Sequence, residues 1–563
     1  MLGGCLKRRK ARSDPLILRL ASRGVPAPPP VQVPGGEATV AIPSPSDPIG
    51  RSSPPAPRPM STTERTLAPE GRSATGLTRQ LGLWGLAATG ICSMLGAGIN
   101  VVPFMLQRNV PGIGPGVLPA YLFAAVPALL AALAYAMLAS AMPRAGGSYV
   151  YASRGLHPYL GFVASFSQWF GLSIAIGVVS YVTIPFVRDV VAALGWDGAA
   201  ALLDTGPVRV GLALLLLWGS VWINVRGLAL YQRILVPLML LMFALGAIVV
   251  VAGFLHDHAD FAAGLMAREG VAVPDTPDPG FRWSTFLAAS AVLFSSFIGF
   301  DSIAQAGGEA RNPSRSLPLA IGIAIVTVGA FYLLFTAAVY HAVPWAFIAE
   351  RSQTQDLTAP GLLGYVLSPG WTVLIVAGAA VALINDLPAM LLAVSRLMFA
   401  WAEDGVFPRG VARVHARHHT PHVALVASGL MASASILGSH FAGDFFLGID
   451  LLVTSMLVNF GVMCLAVVTL PRRNPDLADR VTVIPDARLR LPLAVAGLLL
   501  LALFLGVHTW KDLTAEVSAW YFRSTPLWLG VMALASLVFA REWRRLSRRV
   551  DDPHAVFRTL PPE

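Results

Sequence analysis

The sequence predicts an all-α polytopic membrane protein with about twelve transmembrane helices, of which helices 1 and 6 are broken at the spacing of an inverted five-helix repeat. Three observations carry this. The 563 residues are 55% hydrophobic and only 13% charged, against about 25% charged in a soluble globular protein. Apolar windows of 18 or more residues recur along the chain, each long enough to cross a hydrocarbon core of about 30 Å. Two of these windows, five spans apart, are interrupted at matching places by glycine and polar residues.

The apolar windows fall at roughly 80–107, 116–141, 157–187, 209–225, 228–254, 284–308, 316–341, 370–400, 421–439, 445–470, 491–509 and 525–541. The mean hydropathy of +0.64 and pI near 9.9 coexist, so the basic excess needs a location. Loops alternate sides along twelve spans, and 33 of the 41 Lys and Arg residues fall on the side of the N-terminus. Without the long N-terminal tail the split is still 21 against 8. Basic residues mark the cytoplasmic side of short loops. Both termini are therefore expected in the cytoplasm, at the cell (plasma or inner) membrane, and the net charge of +10 is a topology signal rather than a nucleic-acid footprint.

Three cysteines, Cys5, Cys92 and Cys464, supply neither a disulfide framework nor a zinc cluster. The histidines of "HARHHTPH" (415–422) lie in a basic loop with no paired acid nearby in sequence. No metal, no cofactor and no enzymatic activity are expected. The Gly-Lys-Ser/Thr pattern of a phosphate-binding loop does not occur, which argues against an ATP-driven pump in this chain.

Residues 1–75 are rich in Pro, Ser, Arg and Gly with no apolar period. Such a segment buries too little to offset its ordering entropy, so a disordered cytoplasmic tail is expected. Met60 opens "MSTTERTLAPEG" and is the expected true start, with residues 1–59 an artefact of start assignment. The transporter domain then spans 76–545, and 546–563 form a cytoplasmic C-terminal tail. Polar connections are expected at about 255–283 and 342–369, the second with a short surface helix.

The interruptions are specific. Span 1 carries "SMLGAGINVVP" (93–103), and span 6 carries "LFSSFIGFDSIAQAGGEARNP" (293–313). Open backbone at mid-membrane is tolerated where it lines a cavity or is buried in protein. Broken helices of inverted-repeat transporters use it to hold substrate. Close packing by small residues is the competing reading of the glycines.

Four strings in order, "SMLGAGI" (93–99), "AMPRAGGSYVYASRGL" (141–156), "FIGFDSIAQAGGEARNPSRSLPLAI" (297–321) and "SRLMFAWAEDGVFP" (395–408), resemble the amino acid–polyamine–organocation superfamily of amino acid permeases. The resemblance spans roughly residues 76–470. It implies a 5+5 inverted repeat with two extra C-terminal helices, and a secondary active transporter that moves amino acids by alternating access. By position, the N–H groups around Gly96, Ala97, Gly98 and Ile99 would hold a substrate carboxylate. The carbonyls near Ser295, Ser296 and Phe297, with Gly299 beside them, would receive its ammonium. Phe294 or Phe297 would gate the pocket. A polyamine or organic-cation carrier, an exchanger and a transporter-derived sensor are the alternatives.

Proton-coupled relatives place a lysine in helix 5 against helix 1, where the register puts Met239. No lysine lies between Lys10 and Lys511, so a lysine-based proton switch is excluded, and the coupling ion (proton or sodium) must use other groups. Ionisable residues inside a membrane are functional hypotheses by default. Here these are Asp301 in span 6 and Asp386, beside Asn385, in span 8. Glu309, Arg311, Arg144, Arg396, Glu403 and Asp404 fall at the N-terminal-side ends of spans 6, 2 and 8 and form a candidate inner gate of ion pairs.

Overall fold

The computed structural model describes residues 76–96, 98–275, 278–442, 445–516 and 522–561. The tail expected over 1–75, the Met60 start and Ala97 lie outside the described residues. Among the described residues, twelve helices are long and apolar enough to cross a membrane. We label them α1 (Leu83–Asn109), α2 (Gly114–Ala141), α3 (Pro158–Ala193), α4 (Gly206–Val225), α5 (Leu228–Leu255), α6 (Trp283–Gln305), α7 (Pro313–Ala342), α8 (Pro369–Glu403), α9 (His422–Phe441), α10 (Leu447–Arg473), α11 (Ala487–Thr514) and α12 (Ser524–Ser547). Each predicted apolar window overlaps one of them. Several outrun the window: α3 has 36 residues, about 54 Å at 1.5 Å per residue. The hydropathy signal ends where polar residues begin, whereas the helix continues into the polar layer.

The layering follows from which faces are apolar all round. Over their apolar windows α1, α6 and α8 are 94%, 78% and 72% buried, whereas α5 is 17% and α4, α11 and α12 are 28% buried. The interrupted helices therefore sit inside, where open backbone is shielded from lipid. The first half of α1 packs on α7, α8 and α5, and α3 runs along α8, α9 and α10.

Both interruptions are real. α1 consists of Leu83–Met94 and Gly98–Asn109. α6 consists of Trp283–Leu293, a 3-10 turn Phe294–Phe297, and a last short helix Ser302–Gln305. The two breaks lean on each other. Gly299 has φ +130°, and a Cβ there would overlap the backbone of Ser93, standing 2.7 Å from the Met94 nitrogen. Ser93 Oγ and Ser302 Oγ form a hydrogen bond of 2.8 Å across the crossing. On the N-terminal side the chain before α1 is stitched to the end of α6: Gln80 and Leu81 N–H donate to the Glu309 carbonyl at 2.9 and 2.8 Å, and Arg311 N–H donates to the Leu81 carbonyl at 2.8 Å.

The connection read as polar at 255–283 holds a helix, His258–Glu269, closed by a capping box from Asp257 and Asp260 and by Gly270 at φ 69°. Its buried Phe261 and Leu265 pack one turn apart, with Phe261 against Phe347 and Tyr365. The second connection, expected to hold one short surface helix, holds two, Trp345–Arg351 and Ala359–Leu363, and both bury apolar residues.

Gly299→Ala is expected to destabilise the full chain by about 2–4 kcal/mol, from strained backbone plus overlap with Ser93. Gly322→Ala, where a Cβ meets nothing within 4 Å, should stay within about 1 kcal/mol of the parent. Thermal unfolding of the two purified variants in detergent checks the contrast; equal midpoints would remove the close-approach explanation.

Candidate functional site

A cavity of about 670 Å³, its mouth included, opens at the crossing of the two breaks. Ser93, Met94, Gly96 and Gly98 from α1 line it, together with Ser295, Ser296 and Ile298 from α6, Tyr332 from α7 and Asp386 from α8. The wall continues along Val102, Val178 and Val179, then Gly448 and Leu452 near the start of α10. These residues lie progressively away from the N-terminal side, so the cavity runs towards the opposite face.

The glycines of α1 now have separate reasons. Any side chain on Gly96 would overlap the Asp386 carboxylate, whose Cγ lies 3.2 Å from the Cβ position. At Gly98 a Cβ would meet nothing within 4 Å, because it faces the cavity. The second half of α1 starts at Gly98 and presents its N-terminal N–H groups here, the positive end of a helix dipole. Asp386 is 5% exposed, and its Oδ1 has no hydrogen-bond partner. Among the described residues lining the cavity, none is basic. The Met94 carbonyl, at the end of the first half-helix, accepts a hydrogen bond from the Tyr332 hydroxyl.

Asp301 is built differently. It is fully buried, accepts from Gln168 Nε2 and from the Gly299 N–H at 3.1 Å, and does not line the cavity. Gln168 passes the network on to Gln305 at 3.3 Å. Gln305 Nε2 donates to Ser148 Oγ at 2.7 Å, and Ser148 bonds Tyr135 at 2.7 Å. The acid inside the break thus holds the break's shape.

Of the predicted binding residues, Gly96, Gly98, Ser295, Ser296 and Asp386 meet at the cavity, and Ala97 is outside the described residues. Ile99 lines a neighbouring apolar cavity with Asn100 and Met242. Its helix-5 wall starts at Met242, one turn beyond Met239. Phe297 packs edge-on against Tyr121 at 5.4 Å and Phe294 against Phe460 and Phe504, so the aromatic residue at the cavity is Tyr332 rather than either expected gate. Asn385 points the other way from Asp386, donating to Cys92 Sγ at 3.1 Å and to the Leu235 carbonyl at 3.4 Å.

Below the cavity the N-terminal side is sealed by two buried ion pairs on one helix. Arg396 of α8 forks onto Glu309 at 2.7 and 3.0 Å, with both side chains 1% exposed. Eight residues on, just past the end of α8, Asp404 accepts two hydrogen bonds from Arg154, with side chains 0% and 5% exposed. Arg154 lies in the short helix Gly147–Gly155, and the sequence reading had not singled it out. Its only local sign was a charge inside the otherwise small and aromatic run "GGSYVYASRG". Arg144, expected among the gate pairs, donates from Nε to the Pro561 carbonyl at 2.9 Å.

Removing one partner of a buried pair leaves an uncompensated charge and costs about 3–5 kcal/mol, more than removing both. Arg396→Met is therefore expected to lower the unfolding midpoint strongly, and Arg396→Met with Glu309→Leu to recover much of the loss. A double-mutant cycle in thermal unfolding measures this; additive losses would mean that the two groups do not share their energy.

The chain matches the profile of the family described as "Amino acid permease" over residues 81–533. It is 28% identical to human cationic amino acid transporter 4 over 60% of this chain and 52% of that protein, so it spans about half the length of that relative. It is 27% identical to the branched-chain amino acid permease BcaP of Bacillus subtilis, over 68% of this chain and 79% of that one. It is 25% identical to the low-affinity putrescine importer PlaP of Escherichia coli K12, over 63% and 72% respectively. With four-fifths of its length inside one profile, and both broken helices within that stretch, the chain belongs to the amino acid permease family.

Proposed function

We propose that this permease is a secondary active transporter that carries an amino acid across the cell membrane by alternating access, both termini lying in the cytoplasm. The observation that carries the reading is the cavity at the two breaks, open away from a side that two buried ion pairs seal. One sealed end and one open end describe a single state of such a cycle. The basic excess on the sealed side supports its assignment to the cytoplasm.

An α-amino acid fits the arrangement at both of its charges. Its carboxylate suits the N–H groups of Gly98 and Ile99 at the start of the second half of α1, where a helix N-terminus favours an anion. Its ammonium suits the carbonyls of the Ser295–Phe297 turn. The Ser295 carbonyl already accepts from Ile298 N–H at 3.2 Å and keeps a second lone pair. Asp386, facing the same space with an oxygen to spare, is the group we assign to a coupling ion, proton or sodium. Asp301, enclosed by Gln168 and Gly299, is assigned to the geometry of the break. A polyamine carrier is the second reading, and it too would use Asp386 as the acid that meets an amine.

Counterflow in proteoliposomes loaded with mixed amino acids, against labelled external ones, tests the substrate class without assuming a coupling ion. Accumulation of one or a few amino acids is expected; silence there with accumulation of labelled putrescine would move the substrate to the amines. Asp386→Asn should abolish gradient-driven uptake at near-parental stability, since its Oδ1 has no partner to lose. Asp301→Asn should instead lower stability by about 1–3 kcal/mol through its bonded partners. The reverse pattern would exchange the two roles.

A further inference from the structure

The segment after α12 does not hang free of the transporter. A 3-10 turn, Pro553–Phe557, brings it back under the sealed side. Three of its carbonyls in a four-residue stretch are taken by side chains from two separate regions of the chain. Asn474, just past α10, donates to the Arg558 carbonyl at 2.9 Å. Arg154 Nε donates to the Thr559 carbonyl at 3.2 Å, and Arg144 Nε to the Pro561 carbonyl at 2.9 Å. Phe557 is 5% exposed. One face of its ring lies 5.1 Å from the Arg154 guanidinium, and it packs against Trp543 of α12 at 5.8 Å.

Arg154 is the point that matters. Its guanidinium forks onto Asp404, so the same group that closes the second ion pair also holds the C-terminal segment. Phe557 and the 559 carbonyl complete the shell that excludes water from the pair. Separating Arg154 from Asp404 while the segment stays docked would leave the guanidinium in place and strand Asp404 in a dry site. Undocking first admits water to both charges. Asn474 and Arg144 widen the attachment, tying the end of α10 to the connection between α2 and α3 across the pair. That connection is itself joined to α6 by Gly146 N–H donating to the Gln305 carbonyl at 3.1 Å.

We propose that residues 553–561 form a latch across the sealed side, and that the latch must leave before the Arg154–Asp404 pair can open. This rests on the alternating-access reading, and its test is independent of the substrate. Ala145, paired with Ala306 across the seal, is replaced by cysteine in the full-length protein with Cys5→Ser; Cys92 and Cys464 are buried. The reporter is labelled in lipid vesicles with a membrane-impermeant maleimide, against the same protein lacking Ala145→Cys. A chain ending at Arg549, which loses all three carbonyl bonds, and Phe557→Ala, which loses the ring that packs the segment down, should each raise the labelling rate about tenfold or more. Phe557→Ala should also speed tryptic cleavage after Arg558.

Faster cleavage with unchanged labelling would overturn the latch, because the segment would have left without freeing the gate. Unchanged cleavage would overturn it equally, since Phe557 would not be the anchor. If the shortened chain does not fold, Phe557→Ala alone decides. Counterflow by the intact protein reports on the transport reading separately, so running counterflow with latch-independent labelling would refute the latch alone.

Discussion

The constraint on which the centre of this protein depends is the need to satisfy backbone where two buried helices stop. At α1 and α6 a helix ends and another begins inside the apolar interior, and each stop releases N–H and C=O groups that lipid cannot meet. The structure answers by crossing the breaks. Gly299 presses onto the Ser93 backbone with a conformation that favours glycine, Ser302 reaches Ser93, Asp301 takes the Gly299 N–H, and Tyr332 takes the Met94 carbonyl. What stays open after these bonds are made is the cavity. The site is thus the remainder of a packing problem, bounded by groups whose first duty is structural.

Helix α8 turns that remainder into a directional object. Asp386, Arg396 and the adjoining Asp404 lie along one line, about 15 Å and 27 Å apart from the first at 1.5 Å per residue. The first acid faces a cavity without a protein cation, while the other two groups are clamped in pairs with their side chains at most 5% exposed. One helix therefore carries an unpaired acid at the centre and paired charges at the seal. Any rotation or tilt of α8 relative to α6 and the α2–α3 connection acts on all three at once.

Much of this was legible in the sequence. All twelve spans and both interruptions show in hydropathy and glycine placement, because insertion in lipid demands long apolar runs and leaves few places for glycine, asparagine and acid to hide. Glu309 and Arg396 fall on the same side in the sequence reading, and in the structure their side chains are hydrogen-bonded. What the sequence concealed was pairing across the chain. Gln168 and Asp301 are 133 residues apart and Arg154 and Asp404 are 250 apart, and no local pattern records which polar residue of one helix faces which of another. Tyr332 in "GAFYLLF" looks like one more aromatic residue until its hydroxyl is found on the Met94 carbonyl. The helix at His258–Glu269 was missed for a different reason. Its charged ends outweigh a short apolar stripe, Phe261 and Leu265 one turn apart, that was visible but unweighted.

The sealed side also explains what the cavity has to accomplish. Four charges are withdrawn from water in the two pairs, and each pair stays favourable only while its partners keep their fork geometry. In the alternating-access cycle we propose, opening would exchange those bonds for hydration, one term opposing the other. A ligand shifts such a balance only by binding the two forms unequally. The N–H groups at Gly98 and the carbonyls of the Ser295–Phe297 turn belong to α1 and α6. The Glu309 carbonyl at the end of α6 is in turn bonded to Gln80 and Leu81 at the start of α1. A substrate bound across both breaks, as we propose, would therefore pull on the same two helices whose far ends form the seal, and that shared backbone would carry occupancy at the centre to Arg396 and Glu309.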